Sequence, residues 1–130
     1  MIIGVDFDGT IVKHDYPRIG EDVPRAIASL KLLVAEGNSL ILWTMRSGEA
    51  LEEAVSYLRD AGVELWGING NPGQHAWSCS PKAYANHYID DAAIGCPLVL
   101  EEGASRPYVN WVEVMRHLYD LGAISEPYWP

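Results

Sequence analysis

The chain has 130 residues, 48% of them hydrophobic and 21% charged, proportions that fit one globular domain with a real core and exclude a mainly disordered chain. Nine Lys and Arg against eighteen Asp and Glu give a formal charge of −9, which argues against a broad nucleic-acid surface, since that needs a basic face to displace counterions. An acidic chain still admits a phosphorylated partner, because a bound cation reverses the field around clustered carboxylates.

In chain order, Ile2 to Phe7 is an apolar run that ends in the turn residues Asp8-Gly9, the pattern of a buried strand. It lacks the basic residues and long apolar stretch of a signal peptide. Helical spacing follows over Pro24 to Glu36, with Ile27, Leu30, Leu33 and Val34 on one side and Gly37 as a stop. Leu40 to Trp43 predicts a second strand, and Glu49 to Ala61 a second amphipathic helix closed by Gly62. Val63 to Ile68 predicts a third strand, Tyr88-Ile89 a short fourth, and Cys96 to Leu100 a fifth. Val109 to Leu121 predicts a terminal helix with Trp111, Val114, Met115 and Leu118 on one side. The near-apolar run from Ala92 to Leu100 is broken by Gly95 and Pro97 and is too short to cross a membrane.

Strands alternating with helices imply βαβ units and a parallel sheet. The expected architecture is therefore a single α/β domain over 1–130, Rossmann-like and three-layered, with about five parallel strands, helices on both faces and no cap domain. Ligands bind such sheets beyond the carboxyl ends of the strands, so the residues after each strand are where chemistry is expected. Asp6 and Asp8 follow the first strand, Thr44 and Arg46 the second; Lys82 precedes the fourth, and Asp90-Asp91 end it. Four clustered carboxylates repel unless a cation holds them, and hard oxygen ligands select magnesium. With Thr44 and Lys82 they make a pocket suited to a phosphoryl group.

These residues resemble the motifs of the haloacid dehalogenase (HAD) superfamily. Asp6-Phe7-Asp8-Gly9-Thr10 looks like its first motif, Leu40-Ile41-Leu42-Trp43-Thr44 its second, Lys82 its third and Tyr88-Ile89-Asp90-Asp91 its acidic fourth. The resemblance implies an Mg2+-dependent phosphatase in which Asp6 attacks phosphorus and becomes an aspartyl phosphate. Asp8 would protonate the leaving oxygen and then activate water, and Thr44 and Lys82 would bind phosphoryl oxygens. Asp6, the Asp8 main-chain carbonyl and Asp90 would bind the metal, with Asp91 supporting its shell. In this sequence Lys82 stands only eight residues before Asp90, closer than in many relatives, and Ala92 stands where some relatives have arginine.

Several weaker features complete the expectations. Arg46 lies at the rim of the pocket and Arg18 in a flap after the first motif, both placed to meet an anionic substrate. Trp77 offers an aromatic platform in the aperiodic stretch Asn69 to Lys82, whose part from Asn69 to Ser80 is expected to face the flap at His14 to Gly20 across the pocket. His75, Trp77 and Cys79 lack the second ligand pair of a zinc site. Cys79 and Cys96 suit a reduced, cytoplasmic protein, and the apolar Tyr128-Trp129-Pro130 suits packing on the domain or on a partner. A phosphorylated small molecule is the expected partner, no membrane is, and a homo-oligomer is compatible with the sequence. Phosphotransfer to another acceptor, or a silent HAD-like binding module, would use the same residues. Carbon–halogen cleavage would have no need of Asp8, and a signalling receiver would place its aspartate where Ile68-Asn69 stand.

Overall fold

A computed structural model of the chain describes residues 1–128, so Trp129 and Pro130 lie outside the described residues. Four strands form one parallel sheet: β1 (Ile2–Val5), β2 (Ser39–Leu42), β3 (Gly67–Ile68) and β4 (His87–Ile89), in the order β3-β2-β1-β4. The register sets Val5 beside both Leu42 and Ile89, so the carboxyl ends of the three longest strands are level. Two further strands, β5 (Leu98–Val99) and β6 (Tyr108–Val109), pair antiparallel in a separate ribbon. The helices are α1 (Ala26–Ala35), α2 (Gly48–Asp60) and α3 (Trp111–Asp120).

The expected fifth parallel strand is thus corrected to half of a ribbon. The reason is chain length, since a parallel neighbour needs a crossover of about a dozen residues and the chain from Asp90 to Pro97 is too short to make one. The terminal helix starts later than expected because Asn110 caps it, its side chain accepting from the Glu113 N–H at 3.2 Å. That leaves Val109 free to pair with Leu98.

The core lies on one face of the sheet. Ile3, Val5, Leu40, Leu42 and Ile89 point to that face and share one buried cluster with Leu30 and Leu33 of α1, Ala54 and Leu58 of α2, and Trp111 and Met115 of α3. Each fully buried large apolar side chain there contributes about 1.5–3 kcal/mol, and Tyr128 packs against the same cluster. On the opposite face stand Gly4 and Ile41. A Cβ on Gly4 would meet the Tyr88 ring and Ala85. This face is covered by the 69–86 segment, whose only regular structure is the single 3-10 turn Gln74–Ala76, so the expected helices of the third layer are replaced by a loop.

That arrangement follows from topology. Right-handed crossovers from β1 to β2 and from β2 to β3 place α1 and α2 on one face. The return from β3 to β4, on the far side of β1, must cross the other. No described helix is long and apolar enough to cross a membrane.

Candidate active site at the carboxyl edge of the sheet

Asp6 follows β1 directly, and its backbone N–H donates to the Ile89 carbonyl at 2.9 Å. The central strand thereby delivers Asp6 beside Asp90 and Asp91, which follow β4. Ligand-capable oxygens of these three carboxylates lie within 4.8 Å of one another. Among the described residues they are the one group of metal-ligating side chains so placed.

The loop after Asp6 is wound tightly to hold this cluster. Ile11 N–H and Val12 N–H both donate to the Phe7 carbonyl, at 2.8 and 3.3 Å. Val109 N–H donates to the Gly9 carbonyl at 3.0 Å, and the Trp111 indole to the Thr10 carbonyl at 2.7 Å. The β6–α3 junction therefore clamps the loop from behind. Gly9 has φ +81°, and a Cβ there would collide with the His14 imidazole and the Asp91 carboxylate, so only glycine fits. Those two groups pair directly across the space that Gly9 leaves, His14 Nε2 to Asp91 Oδ2 at 2.7 Å.

Thr10 is fully buried. Its hydroxyl donates to Asp6 Oδ2 at 3.1 Å and accepts from the Asp91 N–H at 3.2 Å, bridging the ends of β1 and β4. The Asp6 carboxyl is pushed up to about 8, chiefly by burial, then by a hydrogen bond with Asp91 and by the charge of Asp90. Burial beside two other carboxylates disfavours the charged form of Asp6 when no cation compensates it. The site is therefore built for positive charge.

Thr44 follows β2. Its N–H donates to Asn69 Oδ1 at 2.8 Å, and its hydroxyl oxygen accepts from the Arg46 N–H at 3.1 Å. Asn69 follows β3 with φ +49°, a conformation asparagine tolerates better than most residues. A cleft of about 530 Å3 opens over this edge, lined by Asp6, Asp8, His14, Thr44, Asp91 and Arg106 among others. Asp6, Thr44, Asn69 and Asp90 also line an adjoining hollow of about 310 Å3.

Sequence reasoning located the carboxylates and Thr44 at this edge, and the structure brings them together. Five other expectations are corrected. The Asp8 side chain, as distinct from its main-chain carbonyl, does not join the carboxylate trio, because Arg46 holds it in a bidentate fork, Nε to Oδ2 and Nη2 to Oδ1, both at 2.8 Å. Arg46 is itself buried and not at the rim. It also donates to the carbonyls of Pro17, Arg18 and Ala50, so all five guanidinium hydrogens are used and none remains for a substrate. Phe7 and Tyr16 rings stack near it, at 5.0 and 5.2 Å, and the Asp8 hydrogen bonds are the first cause of its raised pKa.

The Arg18 side chain is exposed and pairs with Asp15 at 3.0 Å, outside the cleft lining. Lys82 is exposed, its ammonium 5.6 Å from the Tyr88 ring centre. It precedes β4, so it belongs to the amino side of a strand whose acids stand on the carboxyl side. One strand length separates the two, about 10 Å for three residues. Trp77 is exposed and packs edge-on against Tyr84 with ring centres 5.6 Å apart. The loop that carries it runs across the back face of the sheet, so it does not oppose the flap. Ala92 and Arg106 line the cleft, and no residue of that loop does.

Thr10, His14, Asn69 and Arg106 were not singled out as site residues from the sequence. Thr10 was legible as the last residue of the first motif, and Asn69 as the residue ending the third strand. His14 and Arg106 reach the site only through tertiary folding.

A solved structure of a conserved protein from Bacteroides thetaiotaomicron is similar to this chain, at 47% identity and a TM-score of 0.69, over 73% of this chain and 78% of that one. The two chains belong to one family. No family model matches the chain, and no curated protein does.

Proposed function

We propose that the chain is a magnesium-dependent phosphomonoester hydrolase of the haloacid dehalogenase type, with Asp6 as its covalent nucleophile. The observation that carries this reading is the position of Asp6. It ends the central strand, is grouped with Asp90 and Asp91 within 4.8 Å, and opens on a cleft bounded by Thr44. Three carboxylates at that separation fit a hard divalent cation, which takes oxygen ligands at about 2.0–2.6 Å. Asp6, Asp90 and Asp91 would hold it, and when bound it would neutralise the acids and the phosphoryl oxygens together.

The chain's own residues divide the remaining work. Thr10 fixes Asp6 Oδ2 and so orients the attacking carboxylate. The Thr44 hydroxyl, whose oxygen accepts from Arg46 N–H, keeps its own proton to donate to a phosphoryl oxygen. An Asp6 oxygen forms the new bond to phosphorus as the bond to the ester oxygen breaks. That oxygen leaves with a proton, and water then cleaves the aspartyl phosphate to inorganic phosphate. For Asp8 to supply the proton it must first leave the Arg46 fork. The flap carbonyls of Pro17 and Arg18 are tied to the same guanidinium, so this step is linked to flap movement. The free Cys79 and Cys96 suit a reducing, cytoplasmic setting.

A second reading, a HAD-like binding module without turnover, draws on that same fork, which occupies both Asp8 oxygens. One set of assays separates the two. Phosphate release is measured with Mg2+ against phosphorylated sugars, nucleotides, lipid head groups and phosphopeptides. Turnover that stops with a chelator and in Asp6→Asn, with beryllium fluoride retained only by the unmutated protein, is the expected result. An active Asp6→Asn variant would remove the nucleophile assignment. Beryllium fluoride retention with no turnover on any class would favour the module.

A further inference from the structure

With Lys82 against Tyr88, Arg18 on Asp15 and Arg46 on Asp8, the cations foreseen for an anionic substrate are all committed elsewhere. Lys13 is committed too, at 3.0 Å from Glu101 and 3.6 Å from Glu21. Arg106 differs from these. It lines the cleft over Asp6, it is exposed, and among the described residues it has no acidic partner.

Arg106 also lines a second hollow, of about 370 Å3, with Lys13, His14, Ser105 and Tyr108. His14 and Arg106 are common to both spaces, so the compartment adjoins the cleft and the Arg106 charge stands at their shared border. That compartment shares no lining residue with the hollow beside Thr44 and Asn69. Its one acid, Glu101, is already neutralised: Lys13 and the Tyr108 hydroxyl both donate to Glu101 Oε1, at 3.0 and 2.7 Å. The same contacts brace the loop, because Tyr108 begins β6 and Arg106 stands two residues before it. The guanidinium therefore projects from an anchored base.

We infer that Arg106 reads a second negative charge on the ligand, so that the site takes a phosphorylated compound whose leaving portion bears a carboxylate or a further phosphate. This inference rests on the cleft holding a phosphoryl group, as proposed above. Guanidinium is suited to the role because it binds either anion through paired hydrogen bonds.

The test is one of binding, so it does not depend on turnover. Affinities of methylphosphonate, phosphonoacetate and methylenediphosphonate are measured with Mg2+ by titration calorimetry for the unmutated protein, Arg106→Ala and Arg106→Lys. The unmutated protein should prefer the doubly anionic probes by about tenfold, the size of one charge-assisted contact. Arg106→Ala should lose that preference without a change in melting temperature, Arg106→Lys should keep part of it, and methylphosphonate should bind all three alike. A preference for one doubly anionic probe over the other tells carboxylate from phosphate. Equal binding of all three probes to the unmutated protein, or loss of methylphosphonate binding in Arg106→Ala, would overturn the inference. Phosphate release from p-nitrophenyl phosphate, followed in parallel, reports on hydrolysis alone. Discrimination without hydrolysis would sink the phosphatase reading and leave the subsite standing, and hydrolysis without discrimination would do the reverse.

Discussion

The Thr10 hydroxyl touches both sides of the site at once, donating to Asp6 Oδ2 and accepting from the Asp91 N–H, and it does so with no access to solvent. Thr10→Val keeps the shape and removes both bonds. The Asp91 amide then loses a buried acceptor, at a cost of about 1–3 kcal/mol, and the Asp6 carboxylate loses the group that fixes its plane. Urea denaturation should show a destabilisation of that size, and any turnover should fall with it, while Thr10→Ser should retain most of both. Unchanged stability in Thr10→Val would mean that the hydroxyl does not bridge the strand ends.

At the scale of elements, Arg46 makes the flap part of the domain. Residues 13–21 return on themselves, with Lys13 N–H donating to the Glu21 carbonyl at 2.8 Å, and a Cβ on Gly20 would strike the Lys13 carbonyl. One guanidinium joins this hairpin to α2, bonded to Asp8, to Pro17 and Arg18 in the flap, and to Ala50 in the helix, and the Tyr57 hydroxyl of α2 donates to Asp22 at the hairpin's end. Removing one partner of such a buried pair strands the other, so Arg46→Ala should cost about 3 kcal/mol or more. Limited proteolysis should then cut within 14–20, where the unmutated protein should resist. A variant of normal stability and protease resistance, with only a weakened Michaelis constant, would restore Arg46 to the rim role its position after β2 suggested.

The same scale shows what could be read from the sequence. Asp6, Thr44 and Asp90 were legible because a parallel strand fixes where its next residue emerges, and the apolar runs marked the strands. Lys82 was not, because a residue ahead of a strand falls at the opposite edge, and linear proximity to Asp90 concealed that. The engagement of Asp8 by Arg46 depends on a side chain crossing between two loops, which no periodicity records. The β5–β6 ribbon was missed in part, since Leu98-Val99 reads as any short apolar strand and only the brevity of the chain after Asp91 forbids it from joining the sheet.

For the whole molecule, the carboxylate trio ties stability to pH and to divalent cation together. The Asp6 carboxyl has its ordinary value of 3.8 in the unfolded chain and is raised to about 8 in the fold, first by burial, then by Asp91 and Asp90. Below the unfolded value both states hold the proton, and the contribution to stability is complete. As pH rises the unfolded chain releases its proton first, so the folded state loses ground until its own pKa is passed. In chelator, melting temperature should therefore decline between about pH 4 and pH 8 by an amount that Asp6→Asn removes.

A cation binding the trio must displace the proton held by Asp6, so its benefit runs the other way. By mass action, saturating Mg2+ stabilises only the state that binds it, and that state gains most where the proton is already weakly held. The rise in melting temperature on adding Mg2+ should consequently be larger at pH 8 than at pH 5, and Asp6→Asn should reduce it at both. With a formal charge of −9 on the chain, some of any rise reflects general screening, and calcium-free sodium chloride at matched ionic strength measures that part. A rise with Mg2+ no greater than with sodium, or one of equal size at both pH values, would mean that the acids at the carboxyl edge hold protons and not a metal.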